Sequence, residues 1–394
     1  MKNIFKSLLS IVAAVVLTLS LASCITAQSK LQFTAFPDAE YYVGEMDEEA
    51  FLEEVKVSVD GTNYSLKDLK NNNAIISGIN LDELGSHTLV VTYNGSTITF
   101  QYDVVLGNEV ELDGTPYETL AEALEEANKK PEVAHTIKLL KNINSKVSYT
   151  IDTEADIALD LNGYKLYYVS EFKGGSHFIT NKGNLTIVGE GGSIVYMSKY
   201  PDIDWGTEGY PSYACNTIRN EGTLYVNGDV VIENQTPRGG ASYVVDNYSQ
   251  AKLVVLKGTL LQSGGDVAIR TFASKGANIN VEIKGGVVSG RRAIWVHLAG
   301  SNKENKPVVN VNISGGELKA TQYTVYVYSY GDSHEGVTLD ISGGELSCAE
   351  GQYTIAYATA NAEGRDDVPT LNVTGGTFDK NGYNWITNEE IILK

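Results

Sequence analysis

Histidine and cysteine are scarce in this 394-residue chain, with five of the former and three of the latter. Neither type falls at a metal-ligand spacing such as C-x-x-C or H-E-x-x-H, so the sequence predicts no metal centre and implies no cofactor. Positive charge is also short: 30 Lys and Arg face 49 Asp and Glu, a formal net charge of −19. An acidic chain without a basic block lacks the electrostatic footprint of nucleic-acid binding and of a polybasic membrane patch. Catalytic carboxylates are not grouped either. The one adjacent aspartate pair, Asp366-Asp367 beside Arg365, lies in a loop before the final strand. A glycosidase on a parallel sheet would need two or three acids on neighbouring strands.

What the chain has is glycine, 39 residues of it, and much of it recurs in register. The segments LTIVGEGGSI, LYVNGDV, VVLKGTL, VEIKGGVV, VNISGGEL, LDISGGEL and LNVTGGTF each join a short apolar strand to a glycine corner and a further large apolar residue. Their corner glycines are Gly192, Gly228, Gly258, Gly286, Gly316, Gly344 and Gly376, between 28 and 36 residues apart. Such a period marks a solenoid, in which each unit buries its apolar side against its neighbours.

The first 23 residues read as an export signal, with Lys2 and Lys6 ahead of an uncharged, mostly apolar run from Leu8 to Leu21. The run ends in Leu21-Ala22-Ser23-Cys24, which resembles a bacterial lipobox. That resemblance implies a diacylglyceryl group on Cys24, a tether over 24–30, and a protein facing outward from a bacterial cell envelope. Its membrane partner would be reached through the lipid, since each buried CH2 contributes about 0.8 kcal/mol and no spanning segment is needed.

Residues 31–106 alternate in short strands: YYVGE at 41–45, VKVSVDGT at 55–62, AIISGI at 74–79 and HTLVVTYNGSTITFQYDVV at 87–105. Asn94-Gly95 between alternating runs is a strong hairpin signal, because both residues tolerate positive φ. The pattern predicts a small β-sandwich, and its YxVGE entry, VDGT turn and closing G-x-H-T-L-x-V-x-Y-N-G resemble a bacterial immunoglobulin-like domain. The resemblance implies a spacer or adhesive module.

A helix is expected over about 116–130, where Thr119 and Glu122 form a capping box. Leu120, Ala121, Ala123, Leu124 and Ala127 would make its apolar face, and Pro131 its stop. It would cover the open end of the solenoid. From residue 107 to 394 the chain, with its T-I-x-L-L-x-N-I, D-L-N-G-Y-x-L and I-S-G-G-E-L segments, resembles the right-handed parallel β-helix of pectate-lyase-like surface proteins. The fold class expected is therefore all-β, an immunoglobulin-like sandwich followed by a capped right-handed parallel β-helix. That architecture hosts lyases, glycosidases and non-catalytic adhesins alike.

Aligning the strands between glycine corners gives an inward column of Ile179, Ile218, Val245, Ile269, Ile294, Val325 and Ile355. Two residues on, Asn181, Asn220 and Asn247 share an inward site and predict a structural asparagine ladder. The intervening outward positions place Arg219, Asp246, Arg270, Trp295, His297, Tyr326 and Tyr328 on one face. Exposed aromatics beside alternating charge suit a polysaccharide or host-surface ligand, with rings stacking on sugars and charged groups taking hydroxyls or carboxylates. The same residues also serve as ordinary cross-strand ladders. Asp246, between Arg219 and Arg270, is expected to be an ion-pair partner rather than an acid catalyst. A second candidate is the long insertion at 198–214, with Tyr200, Trp205, Tyr210 and Tyr213. Cys215 and Cys348 fall five rungs apart, roughly 24 Å at about 4.8 Å per rung. The pair would be unlinked, buried thiols, since a disulfide needs Cα atoms within about 7 Å.

The reading that follows is a lipid-anchored, non-catalytic binding protein or adhesin. A polysaccharide lyase or glycoside hydrolase of the β-helix fold is the alternative, and a structural envelope protein a third.

Overall fold

The structure, a computed structural model, describes residues 30–35, 40–42, 47–105, 107–172, 176–199, 214–237, 241–299, 306–329, 335–359, 368–379, 385–386 and 391–392. The chain divides into two compact units, residues 1–107 and 108–394.

In the first unit, strands Leu31–Ala35, Lys56–Val59 and Thr62–Ser65 form an antiparallel three-stranded sheet. Glu40–Tyr42, Ser96–Val105, Gly85–Tyr93 and Ile75–Ser77 form a four-stranded sheet in that spatial order. The predicted hairpin turns at Asn94 and Gly95 with φ of 45° and 78°. Two short helices, which the alternating pattern did not reveal, interrupt the strands: α1 (Glu48–Glu54) and α2 (Leu66–Asn71). Each begins at a side-chain cap that satisfies an otherwise orphaned backbone N–H: Asp47 accepts from Ala50 at 2.8 Å, and Ser65 exchanges hydrogen bonds with Asp68. Phe51 and Leu52 of α1 and Leu66 and Leu69 of α2 are buried in one core with Tyr41, Val57, Leu89 and Tyr102. This unit is a mixture of two small sheets and two helices, so it departs from a pure strand sandwich.

The second unit is a parallel β-solenoid of right-handed type. One column of strands runs from Ala134–Leu139 through Asp156–Asp160, Asn184–Val188, Thr223–Val226 and Lys252–Val255 to Asn278–Ile283, each pairing in parallel with the next. Towards the C-terminus the strand pairing continues through the corners, and Val287–Leu298 and Val308–Ser329 each run unbroken from one face to the next. Inward Leu, Ile and Val residues from all faces merge in one continuous core. Burial of each such side chain stabilises the stack by about 1.5–3 kcal/mol.

The end of this core is closed by α3 (Leu120–Asn128), which starts at the Thr119–Glu122 capping box. Leu120, Ala123, Leu124 and Ala127 are buried, whereas Ala121, assigned to the apolar face from sequence, is exposed. Leu120 and Leu124 close over Tyr149, Ile151, Ile157 and Leu166 of the first rungs.

Corner glycines touch backbone to backbone. Gly286, Gly316 and Gly344 have φ of 74°, 81° and 89°, and a Cβ on Gly316 would stand 2.8 Å from the Gly285 carbonyl oxygen of the preceding rung. Both cysteines in the described residues are free thiols. Cys215 is buried, but Cys348 is only half-buried, because its strand has ended and the chain is turning there.

Candidate functional site

One face of the solenoid is built from parallel strands His177–Asn181, Cys215–Asn220, Ser242–Tyr248, Val267–Ala273, the second half of Val287–Leu298, the end of Val308–Ser329, and Ile355–Thr359. Their register aligns Thr180, Arg219, Asp246, Arg270, Trp295, Tyr326 and Ala356 in one row across the rungs. A second row holds Tyr248, Phe272, His297, Tyr328 and Ala358.

The ladder skips one residue at the same place in successive rungs. His177 pairs with Asn216 and Ile179 with Ile218, and the same gap recurs from Asn216–Tyr243 through Arg292–Tyr323. Two consecutive residues are buried there: Phe178 and Ile179, Thr217 and Ile218, Val244 and Val245, Ala268 and Ile269, Ala293 and Ile294. Strict alternation fails at that step, so a third row, His177, Asn216, Tyr243, Val267, Arg292 and Tyr323, joins the face without having been anticipated. The signal was present as a run of uncharged residues, Phe, Thr, Val, Ala, Ala and Thr, each just before the inward aliphatic residue.

Behind the face lies the asparagine ladder. Asn181 Nδ2 donates to Asn220 Oδ1 at 2.8 Å, and Asn220 Nδ2 donates to Asn247 Oδ1 at 2.8 Å. The same donors reach the carbonyls of Thr223 and Lys252 at 2.9 and 3.0 Å, tying the strand ends to the next corner. All three side chains are fully buried, where an unmatched amide costs about 1–3 kcal/mol. The ladder stops where Thr271 follows Asn247.

The earlier rungs of the face are sealed by ion pairs. Arg270 grips Asp246 with two hydrogen bonds, Nε to Oδ1 at 2.7 Å and Nη2 to Oδ2 at 2.6 Å, and Asn216 Nδ2 donates to the same carboxylate at 2.7 Å. Asp246 is 0% exposed and Arg270 6%, so these two are not the open surface that alternation implied. Removing either partner from such a pair leaves a buried charge uncompensated, at about 3–5 kcal/mol. Burial alone would lower the Arg270 pKa, but the Asp246 charge together with Tyr243 and Tyr248 more than offsets it and raises the group. Arg219 does not share Asp246. Its Nε binds Glu221 at 2.6 Å and its guanidinium lies 4.2 Å from the centre of the Tyr248 ring. Nearby, His177 is pushed down to about 4 by burial and by Arg219.

The later rungs are aromatic and half-open. Trp295 stacks on His297 with centroids 4.4 Å apart and planes 11° from parallel. Tyr323, Tyr326 and Tyr328 form a stacked series at 4.9 and 5.9 Å. Arg292 sits against this group, 4.4 Å from the Tyr326 ring centre and 5.1 Å from that of Trp295. Trp295, Tyr326 and Tyr328 are partly exposed, whereas His297 is buried, with its pKa pushed down to about 3 by burial and then by Arg270 and Arg292. Burial likewise pushes the Tyr326 hydroxyl up to about 12, so it remains a neutral donor.

Comparison of the chain with protein-family models, with curated proteins and with solved structures found no match. The site is therefore defined by its own geometry. Of the residues singled out from sequence, Arg219, Asp246, Arg270, Trp295, His297, Tyr326 and Tyr328 share the face, while Cys24, Tyr200, Trp205, Tyr210, Tyr213 and the Asp366-Asp367 pair lie outside the described residues. Among the described residues no group of three His, Cys, Asp or Glu could hold a metal ion, and no helix is long and apolar enough to cross a membrane.

Proposed function

We propose that the tyrosine and tryptophan end of this face is a carbohydrate-binding surface on a non-catalytic, lipid-anchored envelope protein. In this reading Cys24 carries the lipid, residues 31–106 act as an immunoglobulin-like spacer, and the pectate-lyase-like β-helix presents the ligand platform. The observation that supports it most is the half-open series of Tyr323, Tyr326 and Tyr328, flat rings set one after another along a single strand, with Trp295 beside them on the preceding rung. Pyranose rings present apolar faces that stack on such rings, and the phenol hydroxyls supply hydrogen bonds at the edges. Binding is favoured over hydrolysis or elimination because Asp246, the carboxylate of the rows, and Glu221, just beyond the end of its strand, are each held by a guanidinium.

A glycan array probed with the mature chain tests this directly. Retention of one or more polysaccharides is expected, with about tenfold weaker binding when Trp295→Ala and Tyr326→Ala are combined, since aromatic contacts of this kind contribute about 0.5–1.5 kcal/mol each. A protein that retains none of the glycans would leave the structural-envelope reading in its place.

A further inference from the structure

Three of the four guanidiniums around the face have carboxylate partners. Arg219 holds Glu221 at 2.6 Å, Arg270 holds Asp246, and Arg291 holds Asp266 at 3.0 Å. Arg292 differs. Its Nε donates to Gln322 Oε1 at 3.2 Å, and its other contacts are the faces of Trp295, Tyr323 and Tyr326. Neither terminal nitrogen has an acceptor among the described residues. The side chain is partly buried, and burial followed by the neighbouring Arg291 charge lowers its pKa. The group remains a cation at neutral pH, because guanidinium is not deprotonated in proteins.

Aromatic faces stabilise a cation but accept no strong hydrogen bonds, so the two Nη groups keep a planar, bidentate donor edge available. A second donor is unsatisfied beside them. The Trp295 indole Nε1 is buried without an acceptor, on the ring whose centre lies 5.1 Å from the Arg292 guanidinium carbon. Gln322 fixes the guanidinium from the opposite side by accepting from both Arg291 at 2.6 Å and Arg292. A partly desolvated cation with a flat donor edge, an aromatic floor and no carboxylate in ion-pair contact among the described residues is matched by an oxyanion carried on a ring that stacks.

We infer that Arg292 is the anion-receiving residue of the carbohydrate surface, and that the ligand is an acidic glycan whose carboxylate or sulfate ester docks on the guanidinium while its ring lies on Tyr326. This rests on the carbohydrate-binding reading and specifies its substrate class. Arg292 contacts the ligand directly, whereas Gln322 is a positioning residue.

The test compares three matched polymers on the full mature chain: a neutral galactan, a polygalacturonate and a sulfated galactan. The wild-type protein is expected to bind at least one charged polymer about ten- to a hundredfold more tightly than the neutral one, the worth of one charge-assisted hydrogen-bonded pair. Preference for the uronate or for the sulfate identifies the source of the oxyanion. Arg292→Gln should abolish the preference, bringing the ratio of charged-polymer to neutral-polymer affinity to about one. Arg292→Lys, which keeps the charge and loses the fork, should retain an intermediate preference. Thermal melts confirm that each variant is folded. Equal binding of neutral and charged polymers, or a charged preference that survives in Arg292→Gln, would overturn the inference and leave the carbohydrate surface intact. Failure of all three polymers and of the wider array would overturn both.

Discussion

Histidine is the residue on which this face depends most visibly for pH. His177 and His297 have pKa values of about 4 and about 3, both depressed first by burial and then by neighbouring arginines. An unfolded chain protonates histidine near the ordinary value of about 6.5, so it binds more protons than the folded state as pH falls below that point. The stability these two neutral imidazoles contribute is fully present above about pH 6.5 and is lost as the pH drops through their folded values. His297→Phe should preserve the packing against Trp295 and Phe272 and remove one titrating group. Melting temperatures taken from pH 7 to pH 4 are expected to fall less steeply for this variant than for the wild type. Parallel slopes would show that His297 carries no such proton linkage.

At the scale of the element, the corner is where sequence and structure agree most closely. Glycine recurs there because the backbone needs positive φ at Gly286, Gly316 and Gly344 and because the preceding rung leaves no room for a Cβ. Gly316→Ala combines both penalties, and a loss of about 1–3 kcal/mol is expected in chemical denaturation, the cost of holding a non-glycine residue in the left-handed region. An unchanged midpoint would mean that the corner relaxes freely. The inward aliphatic row and the asparagine ladder were equally legible, since side chains on a parallel strand alternate and Asn181, Asn220 and Asn247 keep that register. What alternation could not supply was the row containing Tyr243, Arg292 and Tyr323, because Val244, Ala293 and Thr324 are buried out of phase. It also could not tell a sealed residue from an open one. Asp246 and Trp295 occupy equivalent sites two rungs apart, yet one is buried by its salt bridge and its neighbours while the other is partly open. In the first unit, α1 and α2 were missed because helices of seven and six residues carry little periodicity; their caps at Asp47 and Ser65 were the available signals.

For the solenoid as a molecule, stability is shared between each rung and its nearest neighbours. Inner rungs such as those holding Val245 and Ile269 have a partner on both sides and sit in the continuous core. The last described rung, with Leu371, Val373 and Phe378 only partly buried, is more exposed. Native-state hydrogen exchange is therefore expected to be slowest for the amides of Ser242–Tyr248 and Val267–Ala273 and faster by several-fold or more for Thr370–Val373. Uniform protection from end to end would contradict a nearest-neighbour stack. The N-terminal end should resist fraying better, because α3 covers it with Leu120 and Leu124.

The glycine corners also set a unit of length for the chain. Gly316 and Gly344 occupy equivalent corners, with Ile313 paired to Ile341 before the corner and Leu318 to Leu346 after it. Cutting out residues 316–343 would thus splice one strand onto a corner of the same shape, whereas a shorter deletion would turn buried aliphatic residues outward. A solenoid of this kind can grow or shrink only in whole turns, and the breadth of the surface it offers changes in the same discrete steps.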